Sequence, residues 1–139
     1  MPDLEPTIET YAAADGYRMH YRHWQPADTP RARVVILHGI QSHSGWYLHS
    51  SSRICAAGFE VFYLDRRGSG LNAEKRGHVD NLQVLLDDVV LFLSRVRIQE
   101  PRRPGILSGV SWGGKLATAT AKEHPQMIDG LGLICPGLF

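Results

Sequence analysis

Leu107-Ser108-Gly109-Val110-Ser111-Trp112-Gly113-Gly114 is the stretch on which the reading of this chain turns. It sets G-x-S-x-G directly after the apolar residues Ile106-Leu107 and directly before a helical segment, Gly114-Lys115-Leu116-Ala117. A serine hydroxyl is a poor nucleophile unless a base reaches it, and a sharp strand-to-helix turn lifts its oxygen clear of a sheet. Gly109 and Gly113 remove the Cβ atoms that would clash in such a turn, so both read as structural and Ser111 as the nucleophile. The helix start aims backbone N–H groups at the same point, which makes the Trp112 amide one candidate donor to an oxyanion. With 14 glycines in the chain, such a string can arise by chance, and its placement between strand and helix is what gives it weight.

The flanking sequence supplies that placement. Val34-Val35-Ile36-Leu37, Val61-Phe62-Tyr63-Leu64, Gly105-Ile106-Leu107 and Leu131-Gly132-Leu133-Ile134-Cys135 are short apolar runs without alternation, the pattern of strands covered on both faces of a parallel sheet. Between them, Leu82, Leu85, Leu86, Val89, Leu93 and Val96 recur at the period of a helix face, with Asp80 or Asn81 as the cap. A second helix is predicted from Trp46 to Ala57, stopped by Gly58, and a third from Trp112 to just before Pro125. Ahead of these, Asp15-Gly16 between Ile8–Ala14 and Tyr17–Trp24 predicts a hairpin. The fold class is therefore α/β: an N-terminal β-hairpin leading into a doubly wound, mostly parallel sheet with helices on both faces, in one domain over 1–139.

A second oxyanion donor is expected from the turn after the run ending at Leu37, which reads His38-Gly39-Ile40-Gln41. The Ile40 amide is the candidate and that of Gln41 the fallback. Gly39 reads as structural, and His38 as a side chain that braces the loop through hydrogen bonds.

Three stretches then carry a family resemblance. Leu37-His38-Gly39-Ile40-Gln41-Ser42-His43-Ser44-Gly45-Trp46-Tyr47 resembles the H-G-x-x-x-H-S-x-x-Y segment of the monoacylglycerol lipase and lysophospholipase branch of the α/β-hydrolases. Asp65-Arg66-Arg67-Gly68-Ser69-Gly70 resembles that family's D-x-x-G-x-G turn, and Gly109–Gly114 its nucleophile elbow, usually G-H-S-M-G-G. Val110, Trp112 and Asn72 depart from the usual His, Met and Ser, and Trp112 is placed to narrow the acyl side of a pocket. The resemblance implies a small-molecule ester or acyl substrate, a turn-forming role for Asp65, and no cofactor or metal.

Composition limits the alternatives. Lys plus Arg number 15 against 14 Asp plus Glu, which gives no basic excess for nucleic acid; the pairs Arg66-Arg67 and Arg102-Arg103 read as solvated loop residues. No apolar stretch reaches the ~18 residues of a membrane span, so no stable membrane insertion is expected. The two cysteines, Cys55 and Cys135, fall in a helix and a buried strand and read as small hydrophobes, making a reduced, cytoplasmic setting the default.

The catalytic set is not complete in this reading. The fold orders its triad as Ser, then Asp or Glu, then His, and only 28 residues (139 − 111) follow Ser111. Among them Glu123 and His124 end the elbow's helix, some ~15 Å away at 1.5 Å per residue, and Asp129 precedes the next strand at the far edge. The chain is expected to be the N-terminal portion of a larger hydrolase whose Asp and His lie downstream; a short paralogue forming a homodimer through an exposed C-terminal edge strand is the other reading. Two function classes follow: a serine hydrolase of carboxylic esters, or a non-catalytic scaffold or binding module.

Overall fold

A computed structural model describes residues 2–138. Six strands form one sheet in the order β1-β2-β4-β3-β5-β6: β1 Thr7–Ala12, β2 Arg18–Trp24, β3 Arg33–Leu37, β4 Glu60–Leu64, β5 Gly105–Val110 and β6 Gly130–Ile134. β1, β2 and β4 pair antiparallel, and β4, β3, β5 and β6 pair parallel. The expected hairpin is present, but its connection is longer than a two-residue turn. The Gly16 amide closes a turn onto the Ala13 carbonyl at 2.9 Å, and β2 starts only at Arg18.

The unalternating runs divide their side chains between two cores. Val35, Leu37, Phe62, Leu64 and Leu107 face helices α2 (Leu82–Arg95) and α3 (Trp112–Glu123), where they meet Leu85, Val89, Phe92 and Leu116. Val34, Ile36, Val61 and Tyr63 face the other way, against Trp24 and Cys55 of helix α1 (Leu48–Ala56). Helices thus cover both faces. Asn81, rather than Asp80, caps α2 by accepting the Val84 amide at 3.2 Å. The helix expected from Trp46 begins instead as a 3-10 turn over Ser44–Tyr47, capped by His43, and becomes α-helical at Leu48.

The hairpin is held by more than its ladder. Tyr11 and Tyr21 ring centroids lie 5.3 and 4.8 Å from that of Phe92 on α2, pairs worth about 0.5–1.5 kcal/mol each beyond simple burial. At the opposite edge β6 pairs, among the described residues, only with β5, and Leu131, Leu133 and Ile134 are exposed. Cys135 is exposed too, just past β6, which corrects the reading of it as a buried small hydrophobe. Among the described residues no helix is long and apolar enough to cross a membrane.

Candidate active site

Leu37 is in register with Leu64 on one side and with Gly109 on the other, so the carboxyl ends of β4, β3 and β5 lie side by side. The turns that follow them, beginning at Asp65, His38 and Ser111, share that edge. The chain also changes direction across the sheet at β3, since β4 follows on one side and β5 on the other. Open α/β sheets bind their ligands in the crevice at such a switch point.

Ser111 stands in this crevice as the N-cap of α3, with φ 52° and ψ −121°. A non-glycine residue in that region carries strain of order 1 kcal/mol or more, and the surrounding backbone holds it there. The Ser111 amide donates to the Ile134 carbonyl at 2.9 Å, and the Ser111 carbonyl accepts the Gly114 amide at 2.9 Å. The residue is exposed. Gly39 is packed directly against it: a Cβ there would stand 3.3 Å from the Ser111 Cβ and 3.5 Å from the Val110 carbonyl. Ile40 and Gln41 continue this loop, Ile40 with an exposed side chain and Gln41 at φ 51°. The Trp112 amide, at the first position of α3, has no partner inside the helix. A cleft of about 600 Å³ opens between the Ile40–His43 loop and the turn after β4, lined by Ile40, Gln41, His43, Arg66, Arg76 and His78 among others but not by Ser111 or Trp112.

No described histidine ring is bonded to Ser111. His20, His23, His38, His43, His49 and His78 all engage other groups, and His124 caps the far end of α3. Asp129 accepts the Gly105 amide at 2.7 Å, at the amino end of β5 and so at the opposite edge of the sheet. The downstream acids and histidine are thus held apart from the serine, as their positions in the sequence implied.

His38 is 1% exposed. Its Nε2 accepts the Arg66 amide at 2.9 Å, which leaves the proton on Nδ1, and Nδ1–H donates to the Gly39 carbonyl at 2.8 Å. Burial, reinforced by the Arg66 charge, pushes the ring's pKa down to about 4. Asp65 is fully buried and accepts the Ser44 amide at 2.7 Å and the Leu71 amide at 3.0 Å, so it ties two loops together.

The sequence profile of the serine aminopeptidase S33 family matches residues 28–139, four-fifths of the chain. The chain belongs to this family. It is 33% identical over 129 residues to a monoacylglycerol lipase of Mycolicibacterium smegmatis, covering 93% of this chain and 46% of that protein. It is 33% identical over 123 residues to human monoglyceride lipase, covering 88% and 41%. Its fold is the α/β-hydrolase fold: a soluble variant of Saccharomyces cerevisiae monoglyceride lipase, solved with a substrate analog, superimposes with a TM-score of 0.84 over 98% of this chain and 46% of that one, at 23% identity. The chain spans less than half the length of each.

Within this S33-family chain, Arg66 and Arg67 are not the solvated loop residues that their charge alone implied. The Arg67 fork bonds Asp88 at 2.8 and 2.9 Å and Asp15 at 2.7 and 3.1 Å, with its guanidinium over the Tyr17 ring. Arg66 lies over the Trp112 ring, 4.7 Å from its centroid. Asn72 is also more than a departure from a family pattern. Fully buried, it accepts the His20 amide at 2.8 Å and donates to the Asp65 carbonyl at 2.8 Å, joining β2 to the Asp65 turn. Nothing local in the sequence marks Asn72. Asp88 could have been found, since an acid three residues after Leu85 falls on the apolar face of α2 and needs a buried cation.

The depressed His38 pKa sets the sign of a pH effect. Below about pH 6.5 the unfolded chain takes up a proton at this ring, and the folded chain does not until about pH 4. The stability tied to neutral His38 is therefore present above pH 6.5 and lost as pH falls toward 4, up to about 3 kcal/mol. Urea unfolding of the wild type and of His38→Gln from pH 7 to 4 should show the gap between them narrowing by about that amount. A gap independent of pH would remove His38 from the account.

Proposed function

We propose that this chain supplies the nucleophile and the oxyanion hole of a serine hydrolase acting on small carboxylic esters of the monoacylglycerol type. Ser111 attacks the ester carbonyl, and the carbonyl oxygen takes on negative charge. The amides of Ile40, with Gln41 as the second candidate, and Trp112 receive that charge, the alcohol leaves, and water clears the acyl-enzyme. Gly109, Gly113, Gly39 and His38 hold the two donor turns against each other. The base that deprotonates Ser111, and its orienting acid, are assigned to groups other than the described residues.

The observation that carries this reading is the Ser111 backbone, at φ 52° and exposed against Gly39. A scaffold retained only for folding would be more stable with glycine at such a position, because glycine reaches positive φ without the penalty. The relatives' names, monoacylglycerol lipase and monoglyceride lipase, support the substrate class.

Hydrolysis of p-nitrophenyl butyrate and of a monoacylglycerol by the chain tests the proposal. Without a paired base, turnover is expected at roughly 10³–10⁴ over the uncatalysed reaction, the residue left by an oxyanion hole and binding alone. Ser111→Ala keeps the oxyanion hole and so should keep much of this rate, but the butyryl adduct that intact mass should find on the wild type should be missing from it. An equal butyryl adduct in the two proteins, or one on another residue, would rule Ser111 out as the nucleophile.

A further inference from the structure

We propose that Arg66 is a positioning residue for this oxyanion hole: it fixes the Gly39–Ile40 peptide so that the Ile40 amide faces Ser111, and it ties that peptide to the Trp112 turn. The inference rests on the reading of Ser111 and the Ile40 amide given above, and it adds a side chain that this reading does not use.

A trans peptide directs its C=O and N–H to opposite sides, so whatever holds the Gly39 carbonyl also aims the Ile40 N–H. No peptide among the described residues is cis. Three donors meet the Gly39 oxygen: His38 Nδ1 at 2.8 Å, Arg66 Nη2 at 3.3 Å and Arg66 Nη1 at 3.4 Å. Arg66 Nη1 also reaches the His38 carbonyl at 3.2 Å. The two guanidinium contacts to Gly39 are long one by one, but they are charge-assisted and come from one rigid fork, which restricts the tilt of the peptide more than a single contact does. His38 alone leaves the plane free to rock about the Nδ1···O line.

The charge on Arg66 is not spent on a carboxylate. Arg67, its neighbour, is satisfied by Asp15 and Asp88, whereas Arg66 has no ion-pair partner among the described residues. Its contacts are the two carbonyls and the face of the Trp112 ring, 4.7 Å from guanidinium carbon to centroid. One side chain therefore touches Gly39, the residue before the Ile40 donor, and Trp112, the residue that bears the other donor. A cation in that place also favours negative charge developing nearby, in a half-buried setting where such an interaction is less screened than in water.

Arg66→Met keeps the apolar stem and removes the fork, and Arg66→Lys keeps the charge without the fork. Backbone ¹⁵N relaxation of the chain reads the loop without requiring activity. Order parameters at Ile40 and Gln41 are expected near 0.85 in the wild type, as for rigid backbone, and below about 0.6 in Arg66→Met, while Val35 and Leu37 of β3 stay unchanged. Arg66→Lys should fall between them, and it carries the comparison if the methionine variant fails to fold. Unchanged order at Ile40 in both variants overturns the proposal. Phosphonylation of Ser111 by a fluorophosphonate reads the consequence: the maximal rate should drop about 10- to 100-fold in Arg66→Met at an unchanged half-saturating concentration, with partial recovery in Arg66→Lys. A drop in affinity at an unchanged maximal rate would also overturn it. A wild type that shows the rigid loop but no phosphonylation counts against the proposed function, and the relaxation data then decide on Arg66 by themselves.

Discussion

Gly113→Ala should destabilise the chain by about 3 kcal/mol and separate the two halves of the site, although alanine is the better helix former by ~1 kcal/mol. A Cβ at position 113 would point into the end of β3, where it meets the Leu37 carbonyl oxygen, the His38 oxygen at 2.6 Å and the Leu37 carbonyl carbon at 2.7 Å. All three are backbone atoms, so no rotamer change relieves the clash. Either α3 withdraws from β3 or β3 shifts from its neighbours, and both movements part Ser111 from Gly39. Steric cost therefore outweighs propensity. Gly130→Ala is the control on the same sheet: its Cβ would find only Ile106 Cγ1 at 3.7 Å, an ordinary contact, and the change should stay within about 0.5 kcal/mol. Urea midpoints of the two variants decide the matter, and equal midpoints would mean that the β3–α3 approach is not as close as described.

Asp88→Ala is expected to cost about 3–5 kcal/mol, the usual penalty for stripping one partner from a buried ion pair. The Asp88 side chain is 6% exposed and that of Arg67 9%, so the guanidinium left behind keeps only Asp15, whose side chain is 59% exposed. Asp15→Ala, by contrast, removes a solvent-screened partner and should cost under about 1 kcal/mol. The double variant Arg67→Met with Asp88→Leu, which removes both charges and keeps apolar volume, should recover much of the loss. Thermal or urea unfolding of the four proteins makes the comparison. Asp88→Ala no worse than Asp15→Ala would show that the fork is held mainly from the surface.

The parts of the molecule legible in the sequence are those fixed by short-range pattern. Three of the four apolar runs without alternation become strands with two covered faces, dividing Val34 and Ile36 from Val35 and Leu37 between two cores, whereas the fourth, β6, leaves Leu131, Leu133 and Ile134 exposed. The elbow is legible because glycine, serine and the strand-to-helix change all fall within a few residues. What stayed hidden depends on partners far away in the chain. Arg66 and Arg67 look like any charged turn until β3, α2 and the hairpin bring carbonyls and carboxylates to them from up to 52 residues away. Asn72 is hidden for the same reason, since its partner His20 lies on the hairpin. Cys135 misled because its run is apolar, and an apolar run does not reveal whether a second strand covers it.

The most direct test of the central claim is the site of covalent modification by a fluorophosphonate, read by intact mass and peptide mapping, with its rate followed from pH 6 to 9. A single adduct is expected on Ser111, absent in Ser111→Ala, forming slowly and rising with hydroxide without levelling near pH 7, because no imidazole of the described residues reaches the hydroxyl. An adduct elsewhere, or one undiminished by Ser111→Ala, would contradict the assignment of the nucleophile. A rate that levels off near neutral pH would instead reveal a base acting on Ser111 from within the chain.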